Sequence, residues 1–336
     1  MKYSVCIPTY NQSAYLEEAV WSAYTQSCPP AEIIVYDDCS TDATPAILAG
    51  LQAQIPTLRV VRQAVNQGIS RNTDLCLRAA RYELIIRLDS DDRLLPEFAE
   101  TLGTAFQAYP QLGYAHAAVE EMDQYSQPLR IRRLNRPTGV QTAGQALKLA
   151  GQGYKVAANI LMFRRQALQA AHFIASSVDF AEDYYLCASL AALGYANYYS
   201  SEVLSNYRVW TDQGHVRQRR KLAEIRGIRA VFEEVLQPAY QDRGWGLTSL
   251  HAQRRQHACQ HADCLTWRTY TAVEKQELKD ALLSLSSAGL TRLWIWLYQH
   301  EYGSWIQGYN RLQQVPRTWA KRLLLSWRSS FSLTKA

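Results

Sequence analysis

No run of about 18 or more apolar residues occurs in the 336-residue chain, so nothing in it reads as a transmembrane helix. The amino terminus, Met1-Lys2-Tyr3-Ser4-Val5, lacks a secretory-leader pattern and enters a strand directly. Cysteine is scarce and odd in number: Cys6, Cys28, Cys39, Cys76, Cys187, Cys259 and Cys264, with no Cys-x-x-Cys pair. That favours free thiols in a reducing cytoplasm over a disulfide framework. Acidic residues are missing altogether after Glu301, while Arg311, Arg317, Lys321, Arg322, Arg328 and Lys335 follow.

What is present is an ordinary globular composition, 48% apolar, long enough for one large domain or two smaller ones. The net charge of +6 is unevenly spread. Residues 1–216 hold 17 basic and 21 acidic side chains, a balance of −4. Residues 217–336 hold 19 and 9, a balance of +10, which suggests a separate task for the carboxyl-terminal part.

The most informative stretch is Leu84-Ile85-Ile86-Arg87-Leu88-Asp89-Ser90-Asp91-Asp92. A short apolar run reads as a buried strand, and three carboxylates stand at its carboxyl end. Desolvating adjacent anions costs several kcal/mol each, so the cluster calls for a counter-cation or water. Hard oxygen ligands suit Mn²⁺ or Mg²⁺ bridging to substrate phosphates. The competing reading makes Asp92 a helix N-cap with Pro96-Glu97 in the first turn, which accounts for one aspartate and not three.

Strands and helices alternate around this stretch. Ser4–Pro8, Glu32–Tyr36, Arg59–Arg62 and Leu84–Arg87 read as strands. Helices are expected after Ser13 as a cap, after Ser40-Thr41-Asp42, and from Gly68 through Ala80. A repeat of roughly 25–30 residues per unit predicts βαβ units and a mostly parallel sheet. The second strand also ends in carboxylates, Asp37-Asp38, so the crevice has two acidic stations at the carboxyl edge of one sheet. Arg71 and Arg87 are the nearest basic residues, Arg87 being read first as an ion-pair partner.

Val5-Cys6-Ile7-Pro8-Thr9-Tyr10-Asn11, Ile34-Val35-Tyr36-Asp37-Asp38-Cys39-Ser40-Thr41-Asp42, Asn66-Gln67-Gly68 through Arg71-Asn72, and Asp89-Ser90-Asp91-Asp92 follow one another in order. This series resembles the family 2 glycosyltransferases of the GT-A fold over about residues 3–210. The resemblance implies a Rossmann-like mixed α/β sheet with flanking helices. It implies donor binding, usually of a UDP-sugar, by Pro8, Thr9, Tyr10, Asp38, Arg71, Ser90 and Asp89. Divalent metal (Mn²⁺ or Mg²⁺) would be held in the Asp-x-Asp region by Asp91 and Asp92, with His215 as a further candidate. Cys39 replaces the family's usual glycine or asparagine and raises the question of a positive φ there. The acidic pair Glu182-Asp183 matches the family's catalytic position, with Asp183 as general base. Helix-terminus electrostatics is the alternative account of that pair. A carboxylate that takes the acceptor's proton while a metal offsets charge on the departing diphosphate is what inverting transfer requires. No Gln-x-x-Arg-Trp motif is present, which argues against a processive synthase.

Between these motifs, Arg130, Arg132, Arg133 and Arg136 read as a solvated hairpin or a surface for an anionic acceptor. Residues 138–153, with four glycines, are expected to be mobile. Beyond residue 215 the pattern is helical. His257, His261 and Cys264 fall on one helix face, where packing is a better reading than zinc because the loop-type ligand spacing is absent. Trp319, Leu323, Trp327 and Phe331 recur every four residues among cations. Such a stripe suits an interfacial helix on anionic lipid, or packing on the catalytic domain or on a twin subunit in a homodimer.

The expectation is a catalytic domain over residues 1–215 and a basic helical region over 216–336. The enzyme would be a cytoplasmic, hexosyltransferase-like protein, peripheral at the inner face of the plasma membrane and serving polysaccharide biosynthesis. Its acceptor would be a glycan or lipid-linked hydroxyl, with no role for nucleic acid. The rivals are an inactive nucleotide-sugar-binding scaffold and a sugar nucleotidyltransferase. The latter needs a glycine- and arginine-rich loop that Pro8-Thr9-Tyr10-Asn11 is not.

Overall fold

A computed structural model describes residues 1–154, 156–175, 178–209, 216–300 and 302. His215, Trp210 and the Trp319–Phe331 stripe lie outside the described residues. The chain divides into two compact units, Met1–Gln253 and Arg254–Ala336.

The first unit is built on strands β1 (Tyr3–Thr9), β2 (Glu32–Asp37), β3 (Leu58–Arg62), β4 (Leu84–Arg87), β5 (Arg93–Leu94), β6 (Leu112–Met122), β7 (Pro128–Arg132), β8 (Gly139–Gln141), β9 (Leu161–Arg164) and β10 (Ala196–Arg208). Its helices are α1 (Leu16–Tyr24), α2 (Thr44–Gln54), α3 (Ile69–Ala79), α4 (Phe98–Ala108), α5 (Ala143–Ala150), α6 (Arg165–Ala170), α7 (Glu182–Ala192), α8 (Val216–Arg219), α9 (Lys221–Ala230) and α10 (Gln237–Asp242). A π-helical turn, Val231–Leu236, joins the last two. The sheet order is β3-β2-β1-β4-β9-β6-β10-β5, with β7 added on β6 and β8 on β10. β3, β2, β1 and β4 run parallel, as does β6 with β10, whereas β9 lies antiparallel between β4 and β6. The sheet is therefore mixed.

Alternation along the central strands supplies two cores. Val5, Ile7, Ile33, Val35 and Ile86 face the side covered by α1, α2 and α4. Cys6, Ile34 and Ile85 face the opposite side with Cys76 and Leu77 of α3 and Leu186 and Leu190 of α7. Each such fully buried aliphatic side chain contributes about 1.5–3 kcal/mol, which holds the sheet's carboxyl edge in place.

Some local expectations are corrected. Ser13 does not cap α1; its N–H goes to Asp42 Oδ2 at 3.0 Å, and the first turn is closed on Gln12 O. Residues 138–153 include β8 and α5, the latter started by a Thr142/Gln145 capping box. The arginine run begins in a hairpin as expected, β6–β7, where the outward-lying Arg130 and the half-buried Arg132 pair with the buried Glu121. Arg136 turns inward to Asn197 Oδ1 at 2.7 Å and His116 Nε2 at 3.1 Å. The helices that follow residue 216 lie in the first unit and cover α7. Phe232 packs edge-on against Tyr184, and Arg243 donates to Ala192 O at 2.7 Å.

The second unit takes in the end of α11 (Thr248–His261), a 3₁₀ turn over Ala262–Thr266, α12 (Ala272–Leu285) and α13 (Gly289–Gln299). Leu278, Ala281, Leu282 and Leu285 make the buried stripe of α12, which opens with a Thr271/Glu274 capping box. The His257 and His261 rings stack 6.2 Å apart. All seven cysteines are free thiols. Among the described residues no helix is long and apolar enough to cross a membrane.

Candidate active site

Four loops meet at the carboxyl edges of β1, β2, β3 and β4. The β1 and β2 exits are latched together by Asn11, whose N–H goes to Ser40 Oγ at 2.9 Å and whose Oδ1 accepts Thr41 N at 2.8 Å. Asn11 does this at φ 51°, a left-handed conformation that asparagine tolerates well. Cys39 also sits at positive φ (64°), so the strain raised by its place in the motif is present. Thr9 O receives the N–H of Asp38 at 2.9 Å, while Tyr10 is exposed beside Pro8.

Asp38 is buried, and both of its oxygens are occupied by main chain. Oδ1 accepts Gln67 N at 2.7 Å and Oδ2 accepts Gly68 N at 2.9 Å. Gly68 holds φ 84°, which glycine adopts without penalty and which aims its N–H at the carboxylate. Asp38 thus folds the loop after β3 over the crevice and keeps further lone pairs for a ligand. Arg71, on α3, pairs with Asp74 at 3.1 Å and remains about half exposed.

The Asp89–Asp92 loop is bracketed by two buried arginines. Arg87, 1% exposed, faces Asp89 Oδ1 from Nε at 3.1 Å and Glu182 Oε1 from Nη2 at 3.2 Å, and its Nη1 donates to Asp183 Oδ1. Burial pulls the guanidinium's pKa down, yet Asp89 and Glu182 hold it above its ordinary value. On the other side, Arg208 gives its main-chain N–H to Asp92 Oδ1 at 2.7 Å and its Nε to Asp91 O at 2.8 Å. Asp92 is therefore a loop clasp rather than a helix cap; α4 begins at Phe98 with Glu97 as its cap residue.

Glu182 and Asp183 open α7, where a helix N-terminus favours negative charge. Ala181, at φ 63°, turns the chain into that helix. Ser70 Oγ of α3 reaches Glu182 Oε2 at 3.5 Å.

The acidic loop has the donor chemistry of a hard-cation site. Asp92 Oδ2 is buried without a hydrogen-bond partner. Burial, with Asp91 and Asp89 alongside, raises the Asp92 carboxyl well above the usual range. An added divalent charge would relieve both. Among the described residues no three His, Cys, Asp or Glu side chains gather closely enough to form a complete cage.

Of the expected site residues, Asp89 is thus joined to Glu182 and Asp183 through Arg87, and Asp38 stands at the same sheet edge after β2, which β1 separates from β4. Arg71 belongs to an α3 ion pair, and His215 lies outside the described residues. Sequence reading passes over the clasp formed by Arg208 and the latch formed by Asn11, since neither partner is near in the chain.

Residues 4–169 match the model of Glycosyl transferase family 2. The GalNAc(5)-diNAcBac-PP-undecaprenol beta-1,3-glucosyltransferase of Campylobacter jejuni is 36% identical over 116 residues, 34% of this chain and 36% of that protein. The chain spans about a third of the length of curated relatives of this kind. Among solved structures, Staphylococcus aureus TarS 1–349 in complex with UDP-GlcNAc superposes with a TM-score of 0.67 at 17% identity, covering 92% of each chain. A Pyrobaculum calidifontis mannosyltransferase in complex with GDP-Man and Mn²⁺ reaches 0.55 at 17% identity, over 89% of this chain and 84% of that one. With the sheet and crevice described above, these likenesses establish that the chain, through residues 4–169, belongs to glycosyl transferase family 2 and has the GT-A fold.

Proposed function

We propose that the protein is an inverting glycosyltransferase that moves a sugar from a UDP-sugar to a hydroxyl group of a glycan or lipid-linked acceptor. The observation that carries this reading is the meeting of Asp89, Glu182 and Asp183 on one buried guanidinium. It puts a carboxylate from the start of α7 within one side chain of the acidic loop after β4. In this reading Asp183 takes the acceptor's proton as the oxygen attacks the anomeric carbon, and the bond from that carbon to the diphosphate breaks. Pro8, Thr9, Tyr10 and Asp38 line the nucleoside end, and Asp89, Ser90, Asp91 and Asp92 the diphosphate end. Asp91 and Asp92 would hold Mn²⁺ or Mg²⁺, which supplies charge compensation for the leaving group. Support for UDP comes from the ligand named for TarS, and support for a lipid-linked acceptor from the name of the Campylobacter relative. The +10 balance of residues 217–336 suits work beside an anionic membrane.

The test is a thermal-shift panel of nucleotide sugars with and without Mn²⁺, followed by UDP-release assays of wild type and Asp183→Asn. A UDP-sugar should raise the melting temperature, and the variant should lose about 10²–10⁴ in kcat while still binding UDP. Equal rates for the two proteins would remove Asp183 from the reaction.

A further inference from the structure

The three nitrogens of Arg87 are divided among three carboxylates from two elements. Nε serves Asp89, which follows β4; Nη1 serves Asp183 and Nη2 serves Glu182, both in the first turn of α7. Arg87 is 1% exposed, Glu182 7% and Asp183 5%. Formally one cation faces three anions, two of them buried with it and the third, Asp89, partly open to solvent. Such a cluster is a poor source of stability, because desolvation consumes most of the Coulomb gain. Its geometry is specific, however: a planar guanidinium fixes the directions of all three partners at once, which an ammonium on a flexible stem does not.

We infer that Arg87 is a positioning residue, setting the Asp183 carboxylate at a fixed distance and angle from the Asp89–Asp92 loop. This rests on the transfer reading above, in which Asp183 must face the anomeric carbon of a donor anchored by that loop. Buried as it is, Arg87 would act through its carboxylate partners. It joins the two halves of the site, and a misplacement of about 1 Å between reacting groups can cost 10²-fold in rate.

The experiment compares wild type, Arg87→Lys, Arg87→Met and Asp183→Asn by UDP release from the UDP-sugar panel and by calorimetric titration with UDP and Mn²⁺. Arg87→Lys keeps the charge and loses the fork. It should melt cooperatively and keep its UDP–Mn²⁺ affinity and donor KM within about threefold, while kcat falls about 10- to 100-fold. Arg87→Met should fall further; if it fails to fold, the lysine variant carries the test. A folded Arg87→Lys protein with kcat within about threefold of wild type, or with its whole loss in KM, overturns the inference. No UDP release by wild type from any donor, or full activity in Asp183→Asn, overturns the transfer reading itself.

Discussion

Asp92 Oδ1 accepts the main-chain N–H of Arg208, 116 residues further along the chain, and the Arg208 side chain returns to donate to Asp91 O. The acidic loop after β4 is thereby tied to the last residue of β10. Arg208 also donates to Asp123 O at 2.9 Å and Ser126 Oγ at 3.1 Å, and its guanidinium lies 4.1 Å from the Tyr15 ring centroid. Arg208→Met removes the donor from these half-buried acceptors, each bond contributing about 1 kcal/mol. The variant should melt well below wild type and bind UDP–Mn²⁺ at least about tenfold more weakly, readable in one calorimetric series.

Metal dependence is expected to be visible without turnover. If Asp91 and Asp92 hold a divalent ion, Mn²⁺ at a hundred times its Kd should stabilise the protein by about 2.7 kcal/mol. A differential scanning series should show that gain, its reversal by EDTA, and its loss in Asp91→Asn. A gain of the same size in the variant would move the ion elsewhere.

Asp38→Asn tests the loop over the nucleoside end. An amide offers one acceptor oxygen, so its NH₂ would oppose either Gln67 N or Gly68 N, donor against donor. The protein should remain folded with UDP affinity reduced by about tenfold or more, as the loop's path is no longer specified. Undiminished UDP binding would separate that loop from the donor.

His116, 1% exposed, has its pKa held well below the usual histidine value by burial and by the Arg136 cation. The folded state therefore keeps the ring neutral while the unfolded chain takes up a proton below about pH 6.5. Stability is full above that pH and declines as pH falls through it, by up to about 1.4 kcal/mol per unit until the folded pKa is reached. Melting temperatures between pH 7 and 5.5 should fall more steeply for wild type than for His116→Gln.

Much of the site is legible in the sequence because its chemistry is local. Asp37-Asp38 and Asp89–Asp92 each follow an apolar run, so strand and carboxylates are read together. Even the Cys39 backbone conformation is foreshadowed by its motif position. Pairings across the fold are not legible in that way. Nothing near Arg87 announces that its partners stand 95 and 96 residues away, and Arg208 looks like any basic residue at a strand end. The expectation for residues 138–153 weighs four glycines and misses Thr142 and Gln145, a capping pair readable from spacing alone.

Gly227 of α9 lies so close to the carbonyl of Phe180, just ahead of the acidic pair, that an added methyl would overlap it. Together with Phe232 against Tyr184, this makes the helices after residue 216 the lid on the back of α7. A gene fragment ended at residue 215 would leave those aromatic and aliphatic faces bare. It should be recovered in inclusion bodies, so the shortest useful expression boundary lies beyond the sheet's own last strand.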